Sequence, residues 1–166
     1  MILLRLTAIA ALLAAWTPVA KAELKDAQGK TVGRAEFAGT RHGVLIRVYL
    51  TGAPAGEHAI HIHEVGKCDP PTFDAAGPHF NPTKSVHGFM QAKGPHAGDM
   101  PNLLIPKSGM LDVELLAPGA SIGVKGRMNN ILDADGAALV LHAAADDHTT
   151  DPAGNSGDRI ACGVIR

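Results

Sequence analysis

Along residues 44–50 apolar and polar positions alternate: Val44, Ile46, Val48 and Leu50 fall on one face of an extended chain, Arg47 and Tyr49 on the other. Strand side chains point to opposite faces with a period of two, so this pattern predicts a half-buried strand. Similar patterns predict strands over 30–37, 58–63, 110–116, 121–124, 138–142 and 160–165, each bounded by Gly, Pro, Asp or Asn. No long stretch carries a helical period with caps at both ends. Short strands set between turns predict an all-β domain, an antiparallel sandwich or barrel, with no internal repeat and no linker.

Two segments break the alternation. Residues 64–109 hold seven Pro and many Gly, and a connection of this length without regular structure is usually functional or disordered. Apolar Phe73, Phe80 and Phe89 predict that it is ordered. Residues 143–158 form a second irregular stretch, polar and Gly-containing.

The N-terminus follows a different logic. Arg5 precedes an uncharged apolar run over 6–16, and Ala20-Lys21-Ala22 supplies an A-x-A cleavage signal, which together predict a secretory signal peptide over 1–22. The run is too short to span a bilayer, so no membrane segment is expected in the mature domain, residues 23–166. Cleavage removes Arg5 and Lys21 and no acid, so the net charge of −1 becomes −3. A chain without a basic excess is not expected to bind nucleic acid. Export permits a disulfide, and Cys68 and Cys162 are the only pair that could form one.

Nine His against six Phe, Trp and Tyr is the compositional oddity of the chain. His61 and His63, two apart on a predicted strand, project from one face while Ile60 and Ile62 enter the core. On the long loop, His79, His87, His96 and Asp99 offer three imidazoles and a carboxylate, a complete tetrahedral shell for zinc. His142 ends the strand over 138–142; with His61, His63 and a shared His79 it would give an all-imidazole site, which suits copper. One His serving two metals would be an imidazolate.

These segments carry a resemblance. His61-Ile62-His63-Glu64, Gly77-Pro78-His79-Phe80-Asn81-Pro82, His87-Gly88, His96-Ala97-Gly98-Asp99, Leu139-Val140-Leu141-His142 and the run from Gly154 to Ile165 stand in the order seen in copper, zinc superoxide dismutases of the bacterial exported type, which the chain resembles across the mature domain. The resemblance implies a Greek-key, immunoglobulin-like β-sandwich or barrel with long metal-binding loops. It implies one copper held by His61, His63, His79 and His142, and one zinc held by His79, His87, His96 and Asp99. It further implies that Asp146 hydrogen-bonds the outer nitrogens of His61 and His87, that Arg159 guides an anion to copper, and that Cys68 and Cys162 form a disulfide. Superoxide is the implied substrate and protection of the cell envelope the implied role, with the protein a monomer or a homodimer.

Residues 147–158 contain no Lys or Arg, so the animal steering residues have no counterpart there; Lys67, Lys84 and Lys93 are the candidate substitutes. His42, His58 and His148 match no ligand position and are expected to play no part, with His42 and His148 exposed. Two other readings compete. A cupin-like enzyme leaves the zinc cluster unexplained, and a non-catalytic metal store leaves the complete ligand set and Arg159 without a use.

Overall fold

The computed structural model describes residues 16–123 and 126–166. Its strands are β1 (Ala20–Asp26), β2 (Thr31–Thr40), β3 (Gly43–Thr51), β4 (Gly56–His58), β5 (Ile60–His63), β6 (Leu103–Ile105), β7 (Met110–Ala117), β8 (Ala137–His142) and β9 (Arg159–Ile165). Seven form one sheet in the order β5-β8-β9-β1-β2-β3-β7, and β4 pairs with β6 alone. Every pairing between these strands is antiparallel. Among the described residues the only helix is a short 3-10 turn at Asp74–Ala76, and no helix is long and apolar enough to cross a membrane. The expected all-β, antiparallel architecture is what the chain adopts.

Alternation builds the core. Val44, Ile46, Val48 and Leu50 of β3 are buried together with Phe37 of β2, Leu24 of β1 and Ile60 and Ile62 of β5. Strand β8 departs from alternation because it is covered on both faces. Its odd positions, Ala137, Leu139 and Leu141, join the main core, while Ala138 and Val140 pack with Phe73, Ala76 and Cys162 under the long loop. A strand buried on both sides reads as a continuous apolar run, as 137–141 does.

Three details differ from the sequence reading. Residues 20–26 form β1, whose buried positions Ala20 and Ala22 are too small to stand out between Lys21 and Glu23; a cut after Ala22 would remove the first three of its residues. The strand expected over 58–63 is two strands, because Ala59 turns its N–H to Ala144 and its carbonyl to His142 instead of continuing the ladder. The strand expected over 121–124 is an isolated parallel bridge from Ser121 to Asn130, with Val124 outside the described residues. Within the long loop, Phe73 and Phe80 are buried, while Phe89 is 41 % exposed and lies against the His148 ring. The apolar run at 6–16 falls, apart from Trp16, outside the described residues.

The long loop is fixed by backbone bonds to the strand that carries the first two histidines. Ile62 donates to the Gly98 carbonyl and accepts from the Phe80 N–H, and Gly98 in turn donates to Phe80. His79 and His96 through Asp99 therefore lie beside β5 despite being 16 or more residues further along the chain.

Candidate metal centre

Eight ligand positions fall into two groups that share one side chain. His61, His63, His79 and His142 form one group and His79, His87, His96 and Asp99 the other; within each, the potential ligand atoms lie within 4.8 Å of one another. All seven residues are buried.

Strand geometry supplies the first group. His61 and His63 share a face of β5, and His142 sits where the β8–β9 register shifts, a local irregularity of the kind that re-aims a side chain. Each ring is held by the nitrogen that faces away from the group. His61 Nε2 donates to Asp146 Oδ2 at 2.9 Å, and His63 Nδ1 donates to the Gly77 carbonyl at 2.8 Å. His63 Nε2 and His142 Nε2 are left facing each other at 3.3 Å. His61 Nδ1 and His79 Nε2 are buried without any hydrogen-bond partner. An orphaned buried nitrogen is costly unless something else occupies its lone pair, and four converging imidazole nitrogens suit copper.

The second group is built around Asp99. Its Oδ2 is tied down by the backbone N–H groups of Gly88 at 3.0 Å and His96 at 2.9 Å. Its Oδ1 is thereby aimed at the Nδ1 atoms of His79, His87 and His96, at 2.9, 3.1 and 3.3 Å. Three imidazoles and one carboxylate are a closed tetrahedral set for zinc, with no place left for a reacting ligand. His79 turns Nδ1 to this group and Nε2 to the other, so a single ring can bridge two ions.

Asp146 couples the groups from outside. Its Oδ1 accepts from His87 Nε2 at 2.9 Å while its Oδ2 accepts from His61, so one carboxylate orients a ring in each. Adjacent Asp147 instead organises its own exposed loop through Thr149, Thr150 and Asn155.

The roles of several contributors leave no local signal in the sequence. Asn102 holds the Asp146 backbone from both sides, donating to its carbonyl and accepting from its N–H. Gly154, at φ +64°, lies so close to Asp146 and His87 that a Cβ there would collide with both. Two of the three histidines set aside are also engaged. His58 is buried and its Nδ1 donates to the His142 carbonyl at 2.9 Å, a contact across 84 residues that no local pattern announces. His148 is partly buried, 3.5 Å from Asp146, and only His42 is exposed as expected. None of the three belongs to either ligand group.

Arg159 opens β9 beside the first group. Its Nη1 and Nη2 donate to the carbonyls of Phe73 and Gly77 at 2.8 and 2.7 Å. The Gly77 carbonyl also receives His63, so guanidinium and imidazole share one anchor. Both anchors lie on the segment tied to β9 by the Cys68–Cys162 disulfide. A cavity of about 320 Å³ lined by His63, His79, His142 and Arg159 leads to this group from solvent, with Asp151 on its wall.

Before metal binds, burial keeps the first group neutral. Loss of solvation, with repulsion from neighbouring rings, lowers His79 to about 4 and His142 to about 3, and holds His63 well below the ordinary imidazole range. Burial alone would lower His87 too, but Asp146 and Asp99 outweigh it and raise the ring to about 9. Burial would raise Asp99, but hydrogen bonds from His79, His87, His96 and the Gly88 N–H hold it far below the carboxylate range. A group with a lowered folded pKa contributes stability above its unfolded value and loses it as pH falls towards the folded one. For His79 that window runs from 6.5 down to about 4, and for His142 from 6.5 down to about 3. His87 acts oppositely, its contribution being complete below 6.5 and fading as pH rises through about 9. The metal-depleted protein is therefore expected to melt at progressively lower temperature as pH is lowered from 6.5 to 4, a midpoint series that calorimetry measures directly; a flat series would contradict the burial argument.

Comparison with known proteins agrees with this geometry. The sequence model of the family described as copper/zinc superoxide dismutase (SODC) matches residues 31–165. "Superoxide dismutase [Cu-Zn] 2" of Aquifex aeolicus (strain VF5) is 48% identical over 148 residues, covering 89% of this chain and 86% of that protein. "Superoxide dismutase [Cu-Zn]" of Caulobacter vibrioides is 39% identical, covering 89% and 85%. The crystal structure of a SOD-like protein from Bacillus subtilis superposes with a TM-score of 0.84 at 41% identity, covering 88% of this chain and 97% of that one. With the family model spanning nearly the whole described domain and relatives matched over most of their own length, the chain belongs to the copper/zinc superoxide dismutase family.

Proposed function

We propose that this protein dismutes superoxide, using copper held by His61, His63, His79 and His142 and zinc held by His79, His87, His96 and Asp99. The observation that carries the assignment is the position of His79, which presents opposite ring nitrogens to two otherwise separate ligand groups. Two superoxide anions and two protons give one oxygen and one hydrogen peroxide. Copper, when bound, supplies the alternating one-electron chemistry between Cu(II) and Cu(I).

The protein's own residues handle the anion and the protons. Arg159 uses two of its five N–H donors on the Phe73 and Gly77 carbonyls and has the others for superoxide in the cavity it lines. His79 holds a proton at Nε2 between the two half-reactions and gives it to the departing peroxide, while Asp99 keeps Nδ1 oriented on the zinc side. A cation at one imidazole nitrogen lowers the proton affinity of the other, which makes that proton easier to release.

Attraction of the anion has to be local. The processed chain carries −3, Asp151 lines the cavity, and residues 147–158 contain no Lys or Arg. Arg159 and the exposed Lys67, Lys84 and Lys93 of the long loop are the cations assigned to steering. Export with removal of residues 1–22 places this chemistry in the periplasm, where it protects the cell envelope. The processed chain keeps Glu23 to Asp26 of β1, including the pairing of Lys25 with Cys162.

Superoxide consumption by protein loaded with both metals, compared with protein loaded with zinc alone, tests the reading. Activity is expected only with copper present. Arg159→Gln is expected to keep its copper and to lose about ten-fold or more in rate at low ionic strength, with a weaker salt dependence. Equal activity of the zinc-only protein would overturn the copper assignment, and an unchanged Arg159→Gln rate would remove the guiding role.

A further inference from the structure

The three outward-facing nitrogens of the copper group proper are not held alike. His61 Nε2 meets a carboxylate at 2.9 Å and His63 Nδ1 a carbonyl at 2.8 Å. His142 Nδ1 has only the Gly157 carbonyl at 3.4 Å from the backbone, at the outer limit of a hydrogen bond. Its nearer partner is a side chain, the Ser156 hydroxyl oxygen at 3.1 Å. Since His142 turns Nε2 towards His63 and the centre of the group, Nδ1 carries the ring proton and the hydroxyl oxygen accepts it.

Ser156 is placed to do this. It is 2 % exposed, its carbonyl accepts from the Ala144 N–H at 2.9 Å, and its own N–H donates to Ala153 at 3.3 Å. The bond to Ala144 pins the loop to the chain two residues beyond His142. Asn155 and Gly157, at φ 52° and 72°, turn the backbone tightly on either side, so Ser156 is delivered inward between them.

Resting on the copper assignment above, we propose that Ser156 is a positioning residue for copper: by accepting the His142 Nδ1 proton it fixes that ring and strengthens donation from Nε2. A more basic imidazole favours the more highly charged cupric ion over the cuprous one. The hydroxyl thus acts on the reduction potential through the His142 ring.

Ser156→Ala tests this, because it removes one oxygen from a buried position and leaves the backbone bonds in place. Competition titration against a chelator is expected to show Cu(II) affinity reduced about ten-fold with zinc affinity unchanged. Redox titration of the copper-loaded variant is expected to give a higher midpoint potential than wild type. Cu(II) affinity and potential both equal to wild type would overturn the proposal while leaving the dismutase reading intact. A fall in zinc affinity equal to the fall in copper affinity would also overturn it, since that marks general loosening of the loop. Failure of the wild type itself to take copper at the His142 group would overturn the functional reading and this inference together.

Discussion

His142→Ala is expected to abolish superoxide consumption, by more than about 100-fold, while leaving a full equivalent of zinc in the protein. Losing a hydrogen-bond partner behind a ligand commonly costs about 10–100-fold in metal affinity or activity, and losing the ligand itself costs more. The separation of the two effects follows from the geometry. His142 contributes only to the first group; the zinc group is assembled by His79, His87, His96 and Asp99 and held by Gly88 and Asp146. His142 also keeps its place through its backbone, whose N–H bonds Ala59 and whose carbonyl receives His58, and alanine retains both groups. Metal analysis with a superoxide assay checks the result. Wild-type activity in the variant, or joint loss of zinc and copper, would contradict it.

Removing the disulfide is expected to have the largest effect on stability. Cys68 and Cys162 are separated by 94 positions, and closing a loop of that length stabilises a fold by about 4–5 kcal/mol through the entropy it takes from the unfolded chain. For a domain of this size that corresponds to a melting temperature lower by roughly 10–20 °C in Cys68→Ser or in the reduced protein. A kinetic effect accompanies the thermal one. The bond tethers the segment whose Phe73 and Gly77 carbonyls hold Arg159, and Gly77 also holds His63. Reduction should therefore slow turnover at temperatures where the protein is still folded. Thermal melts and rates with and without reductant measure both, and a shift of only a degree or two would show that the tether does little.

What the sequence reveals and what it hides divide along physical lines. Strand β3 is plain because its core face is carried by large apolar residues at every second position, whereas β1 is obscured because alanines carry its face beside a cleavage signal. The residues of the two candidate metal groups are legible because their types and local spacing are restrictive: His61 and His63 on one strand face, His96 and Asp99 three apart on a loop. The atoms that orient those ligands are hidden, because backbone carbonyls and long-range contacts leave no mark in a linear pattern. His58 reaches His142, Asn102 clamps Asp146, and Gly154 makes room for the carboxylate, each across 44 or more residues or through a missing side chain. Residues 121–124 mislead for a related reason. They alternate like a strand, but among the described residues their pairing is one isolated bridge, from Ser121 to Asn130.

The proposed function turns on one imidazole, His79, joining a copper site to a zinc site. Crystals of the protein loaded with both metals, with anomalous diffraction measured on either side of the copper and zinc absorption edges, test it most directly. Two peaks are expected to flank the His79 ring, a copper peak among His61, His63 and His142 at the Nε2 side and a zinc peak among His87, His96 and Asp99 at the Nδ1 side. A single metal position, or copper confined to the Asp99 side with nothing at His142, would contradict it.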